Sequence, residues 1–261
     1  NEQQWAITGK DLTINLAELQ ISPLLSMQIN ANGIESLLLK SNLQDLGVDK
    51  AISFIPNKKI PKLAAWLKKS LVAGKVNLIH LDYKNKKING VLGVSNAELE
   101  FSSDWPQIND IDAVISLQND VVKVTANNAT ILSAPVRSLD LIYDKKVNDT
   151  LIKLHGTIDT NIENAIEYIM QSPLQHNLGK NLAKLNPVGE ISLSLKLDID
   201  LDKTEDIKTF GSIKLIDNKL MLQDWNLPIQ HLRGDIDFTN DSVSSQKLQL
   251  NLLGQNATGT I

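Results

Sequence analysis

A long alternation of apolar and polar residues dominates the last third of the chain. It runs from Gly189 to Leu201 with a period of two, the spacing at which strand side chains point to opposite faces of a sheet. The sequence therefore predicts one long, half-buried β-strand. Its apolar side would carry Ile191, Leu193, Leu195, Leu197, Ile199 and Leu201. Its polar side would carry Ser192, Ser194, Lys196, Asp198 and Asp200.

Shorter alternations of the same kind recur along the chain and predict further antiparallel strands. The predicted strands cover residues 12–16, 27–31, 111–117, 122–126, 136–142, 151–157, 210–216, 219–222, 231–238 and 247–252. Residues that favour tight turns separate many of them. The predicted turns are Asn32-Gly33, Asn89-Gly90, Asn119-Asp120, Asn127-Asn128, Asp217-Asn218, Thr239-Asn240-Asp241 and Gly254-Gln255-Asn256. Since most connections would be hairpins, the pattern predicts a meander.

Three stretches have the spacing of amphipathic helices. The first carries leucines four residues apart, and Gly74 is its predicted end. Thr160 and Glu163 have the spacing of a capping box at the start of the second helix. Pro173 favours the start of a third helix, which would form a helical hairpin with the second. The predicted helices cover residues 61–73, 161–171 and 173–186.

Composition narrows the function classes. The chain has 261 residues, 42% of them hydrophobic, which is enough for a sizeable core. Its formal net charge of -4 leaves no basic excess, so nucleic acid is not an expected partner. The absence of cysteine excludes both disulfides and thiolate metal sites.

The apolar runs and the two ends of the sequence bear on its context. No apolar run approaches the roughly eighteen residues that a membrane-spanning helix needs. The sequence begins at Asn1 without a methionine, and it stops at Ile261 inside an alternating segment. We therefore expect a piece of a longer protein, with any anchor or export signal outside it.

Residues that could carry catalysis do not form a recognisable set. The four histidines are His80, His155, His176 and His231. They are far apart and lack the spacing of zinc ligands. The aspartates of the segment 198–202 resemble the start of a calcium loop, but Lys203 and Thr209 stand where that loop needs glycine and glutamate. We therefore expect neither an enzyme nor a metal site nor a cofactor.

The order of several short motifs resembles the YhdP family of AsmA-like bacterial envelope proteins, which is related to TamB and YdbH. The likeness extends from about Ile60 to Phe238. The residues that carry it are Ile60-Pro61-Lys62-Leu63, Trp66-Leu67, Leu71, Gly74, Phe101, Trp105-Pro106, Ser172-Pro173-Leu174, Gly189, Leu227-Pro228-Ile229, Leu232, Gly234 and Phe238.

The resemblance implies a mainly β fold, a long antiparallel meander curled into a groove, with one amphipathic helix and one helical hairpin packed on it. The chain would be a segment of a longer protein, and residues 1–58, 59–160 and 161–261 are its possible sub-units. The implied function is transfer of phospholipid between the inner and outer membranes. The implied location is the periplasm, with a tether to the inner membrane through an anchor outside this segment. Envelope proteins at the ends of the groove are possible partners.

The aliphatic stripes suit such a groove, because each buried methylene of an acyl chain is worth ~0.8 kcal/mol. The expected lining residues are Ile191, Leu193, Leu195, Leu197, Ile199, Ile213, Leu215, Ile236, Phe238, Leu248 and Leu250. A closed sandwich, in which two sheets bury these stripes against each other, fits the same periodicity. The alternative function is therefore a non-catalytic envelope scaffold that binds other proteins at its strand edges.

Overall fold

The fold is built almost entirely from strands. The structure is a computed structural model that describes residues 4–9, 13–16, 19–53, 60–148, 150–176 and 185–261. Within these ranges the helices are α1 Val48–Ser53, α2 Pro61–Ser70 and α3 Ile162–Met170. The strands are β1 Trp5–Gly9, β2 Ile14–Leu16, β3 Leu19–Ile21, β4 Leu24–Asn30, β5 Gly33–Gly47, β6 Leu71–Lys84, β7 Lys87–Leu99, β8 Ile108–Gln118, β9 Val121–Ile131, β10 Ala134–Asp144, β11 Leu151–Asn161, β12 Glu190–Asp200, β13 Lys203–Leu222, β14 Leu227–Thr239, β15 Val243–Ser244, β16 Leu248–Leu252 and β17 Gln255–Gly259.

Fifteen of these strands form one sheet whose order largely follows the chain. Strand β1 pairs with β4, β15 pairs with β14 beside β16, and β2 and β3 form a separate two-stranded sheet. The registers of β12 with β13 and of β13 with β14 are antiparallel. The prediction of a mainly β, antiparallel meander is confirmed, and the described strands leave the sheet open between β1 and β17.

The long alternating strand is confirmed as β12. Its five apolar residues from Ile191 to Ile199 are each 6% exposed or less, while the residues between them are more accessible. Their partners on β13 run from Leu215, opposite Ile191, to Thr209, opposite Leu197. The strict period of two therefore reports a strand with one side in a protein core.

Two predicted turns of the first half are wrong. Asn89-Gly90 lies inside β7, paired with residues of β6, and Asn127-Asn128 lies inside β9. The chain reverses instead at Asn85-Lys86 and at Leu132-Ser133, where both residues of each pair have positive φ. Two-residue hairpin turns of type I′ need that backbone conformation. Here residues other than glycine adopt it, so the usual sequence signal is missing.

The predicted turn at Asp217-Asn218 is also wrong. The segments 210–216 and 219–222 form one strand, the 20-residue β13, and the register with β14 shifts on either side of Asn218. A bulge of this kind bends a strand without ending it. The last hairpin turns at Leu253-Gly254, one residue before the predicted position, and β17 begins at Gln255.

The first predicted helix is shorter than expected. Helix α2 ends at Ser70, and β6 begins at Leu71. Gly74 is therefore not a helix end. It has φ +135 within β6, and a Cβ there would stand 2.8 Å from the Cα of Ala97. This glycine lets β6 and β7 approach closely.

The second predicted helix is present as α3, but its cap differs. Asn161 is the N-cap, and its side-chain oxygen accepts a hydrogen bond from the backbone N–H of Asn164 at 2.8 Å. The predicted capping box of Thr160 and Glu163 is therefore wrong. Residues Pro173–His176 form a short 3-10 helix. Residues 177–184 of the predicted third helix lie outside the described residues, as does the predicted strand residue Leu12.

The chain divides into two compact units. One contains Asn1–Leu99, Asn109–Asn127 and Leu141–Leu151, and the other contains Glu100–Ile108, Asn128–Asp140 and Ile152–Ile261. The three sub-units expected from the sequence stay a prediction. In the ranges that the structure describes, every helix is too short or too polar to cross a membrane.

Candidate functional site

The predicted lining residues lie on four strands of the second unit. We call their shared side the apolar face of β12, β13, β14 and β16. Eight of the eleven are buried, namely Ile191, Leu193, Leu195, Leu197, Ile199, Leu215, Phe238 and Leu248. The other three are half-buried, namely Ile213, Ile236 and Leu250.

Strand register brings these side chains together in rows across the sheet. Leu193 lies opposite Ile213, and Ile213 lies opposite Ile236 on the next strand. A second row begins with Ile191 and Leu215. Cross-strand neighbours on one face lie about 5 Å apart. The rows therefore form an apolar surface over three adjacent strands, in which Gly211 and Gly234 carry no side chain.

Helix α3 covers one end of the apolar face. The core cluster at that end consists of Ala165, Ile191, Leu215, Leu232 and Leu248, with Ile162, Ile213, Leu220, Ile229, Ile236 and Leu250 packed against it. The first helical N–H, that of Ile162, donates to the carbonyl of Gly189 at 2.9 Å, just before β12 begins. At this end, therefore, the apolar face is the floor of a protein core.

Phe238 covers the middle of the face. Its ring stands where a side chain at Gly211 would be, so a Cβ there would overlap the ring. Gly211 lies opposite both Leu195 and Phe238 in the two registers. The missing side chain at one position thus makes room for the aromatic ring on the neighbouring strand.

Two buried polar side chains interrupt the hydrophobic surroundings. Thr209, opposite Leu197, and Asn218, at the bulge in β13, are each 1% exposed. Asn218 Oδ1 accepts from the N–H of Ile216 at 3.0 Å. Among the described residues, Thr209 Oγ1 and Asn218 Nδ2 have no hydrogen-bond partner. Buried polar atoms of this kind are costly unless something satisfies them.

An aromatic cluster lies beside the helix in the same unit. Trp105 is 5.9 Å from Phe101 and 5.8 Å from Tyr168, measured between ring centroids, and all three residues are buried. Burial raises the pKa of the Tyr168 phenol far above its usual value. The phenol of Tyr168 therefore stays protonated and neutral where it packs against Trp105.

The carboxylate of Asp217 lies on the surface and has two basic partners. His231 Nδ1 is 3.0 Å from Asp217 Oδ1, and Arg233 donates to the same oxygen from Nε at 3.2 Å and from Nη2 at 3.0 Å. The hydrogen bond with His231, followed by that from Arg233, lowers the pKa of the Asp217 carboxyl. All three side chains are exposed, so this is a surface ion-pair network. Within the described ranges, histidines and carboxylates nowhere gather into a set of three that could hold a metal ion.

The sequence predicted the strands of the apolar face but not the residues that pack on it. Ile162, Ala165 and Leu232 were not among the expected site residues, although they pack on it. Helical periodicity shows that α3 has an apolar side. It does not show which strands that side contacts.

The chain is similar to known proteins. A family model described as YhdP protein matches residues 1–261. A curated relative, the intermembrane phospholipid transporter YhdP of Escherichia coli (strain K12), is 22% identical over 186 residues. That match covers 70% of this chain and 14% of the relative, so the chain spans a small part of the relative's length. No solved structure matches the chain.

Proposed function

Because the chain belongs to the YhdP family, we propose that it is a periplasmic segment of a bridge-like lipid transfer protein. In this proposal the full-length protein is tethered to the inner membrane through an anchor outside this segment. It carries phospholipid between the inner and outer membranes, and the acyl tails move along the apolar face. The role is non-catalytic. Envelope proteins at the ends of the path are the expected protein partners.

The aliphatic surface of β12, β13 and β14 is the observation that carries this proposal. Its rows cross three neighbouring strands, as in the row of Leu193, Ile213 and Ile236. A tail in transit needs an apolar surface, because each methylene exposed to water costs ~0.8 kcal/mol. Aliphatic side chains give little orientation to a tail, so they allow it to slide where a specific pocket would hold it.

The burial of this surface sets a condition on transport. Tails can reach Ile191 or Leu215 only if they replace the contacts of Ala165 and Ile162 of α3. The exchange conserves buried apolar area, since methylenes of the tail take the place of apolar side chains of the helix. We therefore expect the half-buried part of the face to be the first contact of a tail.

Site-specific photo-crosslinking in the full-length protein tests the proposal. A photoreactive phenylalanine analogue replaces Ile236, which is half-buried on the apolar face, and in a matched control it replaces Asp235, which is exposed on the opposite side of β14. After irradiation in cells, mass spectrometry of the purified protein is expected to find phospholipid adducts at Ile236 and few at Asp235. Equal yields at both positions, or no adduct at Ile236, would contradict the proposal.

The burial of the face also favours a second function. Ile191, Leu197 and Ile199 are at most 1% exposed, as in the closed core of a scaffold protein. Strand β17 pairs only with β16 among the described strands, so its other edge could accept a partner strand. A folded protein that gives no lipid adduct at Ile236 would support this scaffold function.

A further inference from the structure

A second amphipathic feature lies in the first unit, at the hairpin turns that follow β6, β8 and β10. A cavity of about 450 Å³ opens there. It is lined by Ile60, Lys86, Lys87, Ile88, Leu117, Asn119, Asp120, Val122, Lys145 and Lys146. We call it the lysine pocket. Cavities of roughly 300–1,000 Å³ accommodate small ligands or parts of larger ones.

The floor of the lysine pocket is aliphatic. It contains Ile88, Leu117 and Val122, all half-buried, together with Ile60 beside α2. Leu117 points to the same side of β8 as the buried Ala113, because the two residues are four positions apart in one strand. The floor of the pocket therefore continues the apolar side of this strand.

Backbone hydrogen bonds hold the three turns together. The N–H of Asn119 donates to the carbonyl of Ile88 at 2.8 Å, and the N–H of Lys145 donates to the carbonyl of Asp120 at 3.1 Å. Positive φ angles at Lys86 and Asn119 shape the turns on which these groups lie. The lysines at the pocket are thus fixed near one another by the fold, although most of their side chains reach into solvent.

The rim of the pocket is basic on an acidic chain. Four lysines line the pocket, namely Lys86, Lys87, Lys145 and Lys146, together with one carboxylate, Asp120, whose Oδ2 lies 3.5 Å from Lys146 Nζ. The whole chain has a formal net charge of -4. A local excess of positive charge beside an apolar floor attracts a ligand that is anionic at one end and apolar at the other.

We propose that the lysine pocket binds the headgroup of an anionic phospholipid, with the phosphate among the lysines and the first methylenes of the tails on Ile88, Leu117 and Val122. A free inorganic anion would leave the aliphatic floor uncovered, and an uncharged tail would leave the lysines unused. The inference rests on the proposed lipid-transfer function and adds a headgroup preference to it.

Crosslinking with defined lipids tests the preference. The full-length protein, with the photoreactive phenylalanine analogue at Val122, is mixed with vesicles that contain equal amounts of a phosphatidylglycerol and a phosphatidylcholine. Mass spectrometry then counts adducts of each lipid. We expect phosphatidylglycerol adducts to predominate. The variant Lys86→Gln with Lys145→Gln is expected to reduce that preference on the order of tenfold, since each lysine near an anionic lipid contributes appreciably to its binding.

A matched control separates local from overall charge. Lys123 and Lys153 are exposed lysines of β9 and β11 that do not line the pocket. Replacing both by Gln removes the same charge, and we expect the lipid preference to stay unchanged. Equal adducts of the two lipids would overturn the inference, as would equal effects of the pocket variant and the control variant. Adducts at Ile236 would in either case leave the proposed function standing. Absence of adducts at both Val122 and Ile236 would overturn both.

Discussion

At the scale of single residues, one glycine shows how the apolar face is packed. Gly211 lies between Leu195 and Phe238 in the strand register, and the ring of Phe238 fills the space that a side chain at Gly211 would need. Glycine usually weakens a strand. Here it is required because an aromatic ring from the next strand covers it.

We therefore predict that Gly211→Ala lowers the free energy of unfolding by about 1–3 kcal/mol, the usual cost of overpacking a core. Gly156→Ala is the control, because a Cβ there would meet its nearest neighbour at 3.6 Å, an ordinary contact. Urea denaturation measures the free energy of unfolding of both variants. Adding Phe238→Leu to Gly211→Ala should recover part of the loss, because the smaller side chain can move aside. Equal stability of the two glycine variants would contradict this packing.

At the scale of elements, the helix that covers the apolar face depends on one cap. Asn161 has an extended backbone, with φ -82 and ψ 159, and its side chain accepts from the N–H of Asn164. Thr160 also fits the sequence pattern of a cap. Its Oγ1 instead accepts from the side-chain amide of Asn164, Nδ2, at 3.1 Å and leaves the backbone N–H groups of the first turn to other acceptors. The residue whose backbone turns into the helix decides the cap.

We predict that Asn161→Ala lowers the free energy of unfolding by about 1 kcal/mol, the typical cost of a lost N-cap. Glu163→Ala should cost about 0.5 kcal/mol or less, because it removes only a favourable charge near the helix N-terminus. Thermal or urea unfolding followed by circular dichroism would compare them. If Glu163→Ala lowered the free energy of unfolding more than Asn161→Ala, the result would contradict the Asn161 cap and favour the capping box of Thr160 and Glu163.

Elements with strict periodicity were predictable, and their connections were predictable only in part. The turn at Asn119-Asp120 lies between β8 and β9 as predicted. The alternation that identified β12 comes from burial of one strand side, which acts on every second residue. The turn at Asn85-Lys86 has no such signal, since its two residues reach positive φ without glycine. Asn89-Gly90 has a strong turn signal, yet cross-strand pairing with β6 keeps it extended. Tertiary pairing overrides local preference at such positions.

The candidate site, too, was predictable from the sequence only in part. Residues of the apolar face, such as Leu195 and Leu215, could be read from alternation, because all residues on one side of a strand share an environment. The packing of Ala165 on this face could not be predicted, since it depends on where α3 packs. The lysine pocket was also missed, because Lys86 and Lys145 are 59 positions apart and only the order of the strands brings their turns together.

At the scale of the whole molecule, the scaffold function and the transport function make different demands on the apolar face. Leu195, at 6% exposure, is compatible with both functions, since a core residue and a residue that lines a lipid path both need an apolar side chain. The functions differ in what a polar substitution does once the protein has folded. A scaffold that stays folded keeps its function, whereas a lipid path that contains a carboxylate is interrupted.

We predict that Leu195→Asp in the full-length protein blocks phospholipid transfer between membranes, because an acyl tail would have to pass a charged group. Ser194→Asp, on the opposite side of β12, is the control and should leave transfer unchanged. Transfer is measured with labelled phospholipid in cells, and protease resistance reports the fold. If Leu195→Asp does not fold, Leu195→Gln replaces it, since a neutral amide is less costly to bury than a carboxylate. Normal transfer by either folded variant would exclude Leu195 from the lipid path and would favour the scaffold function.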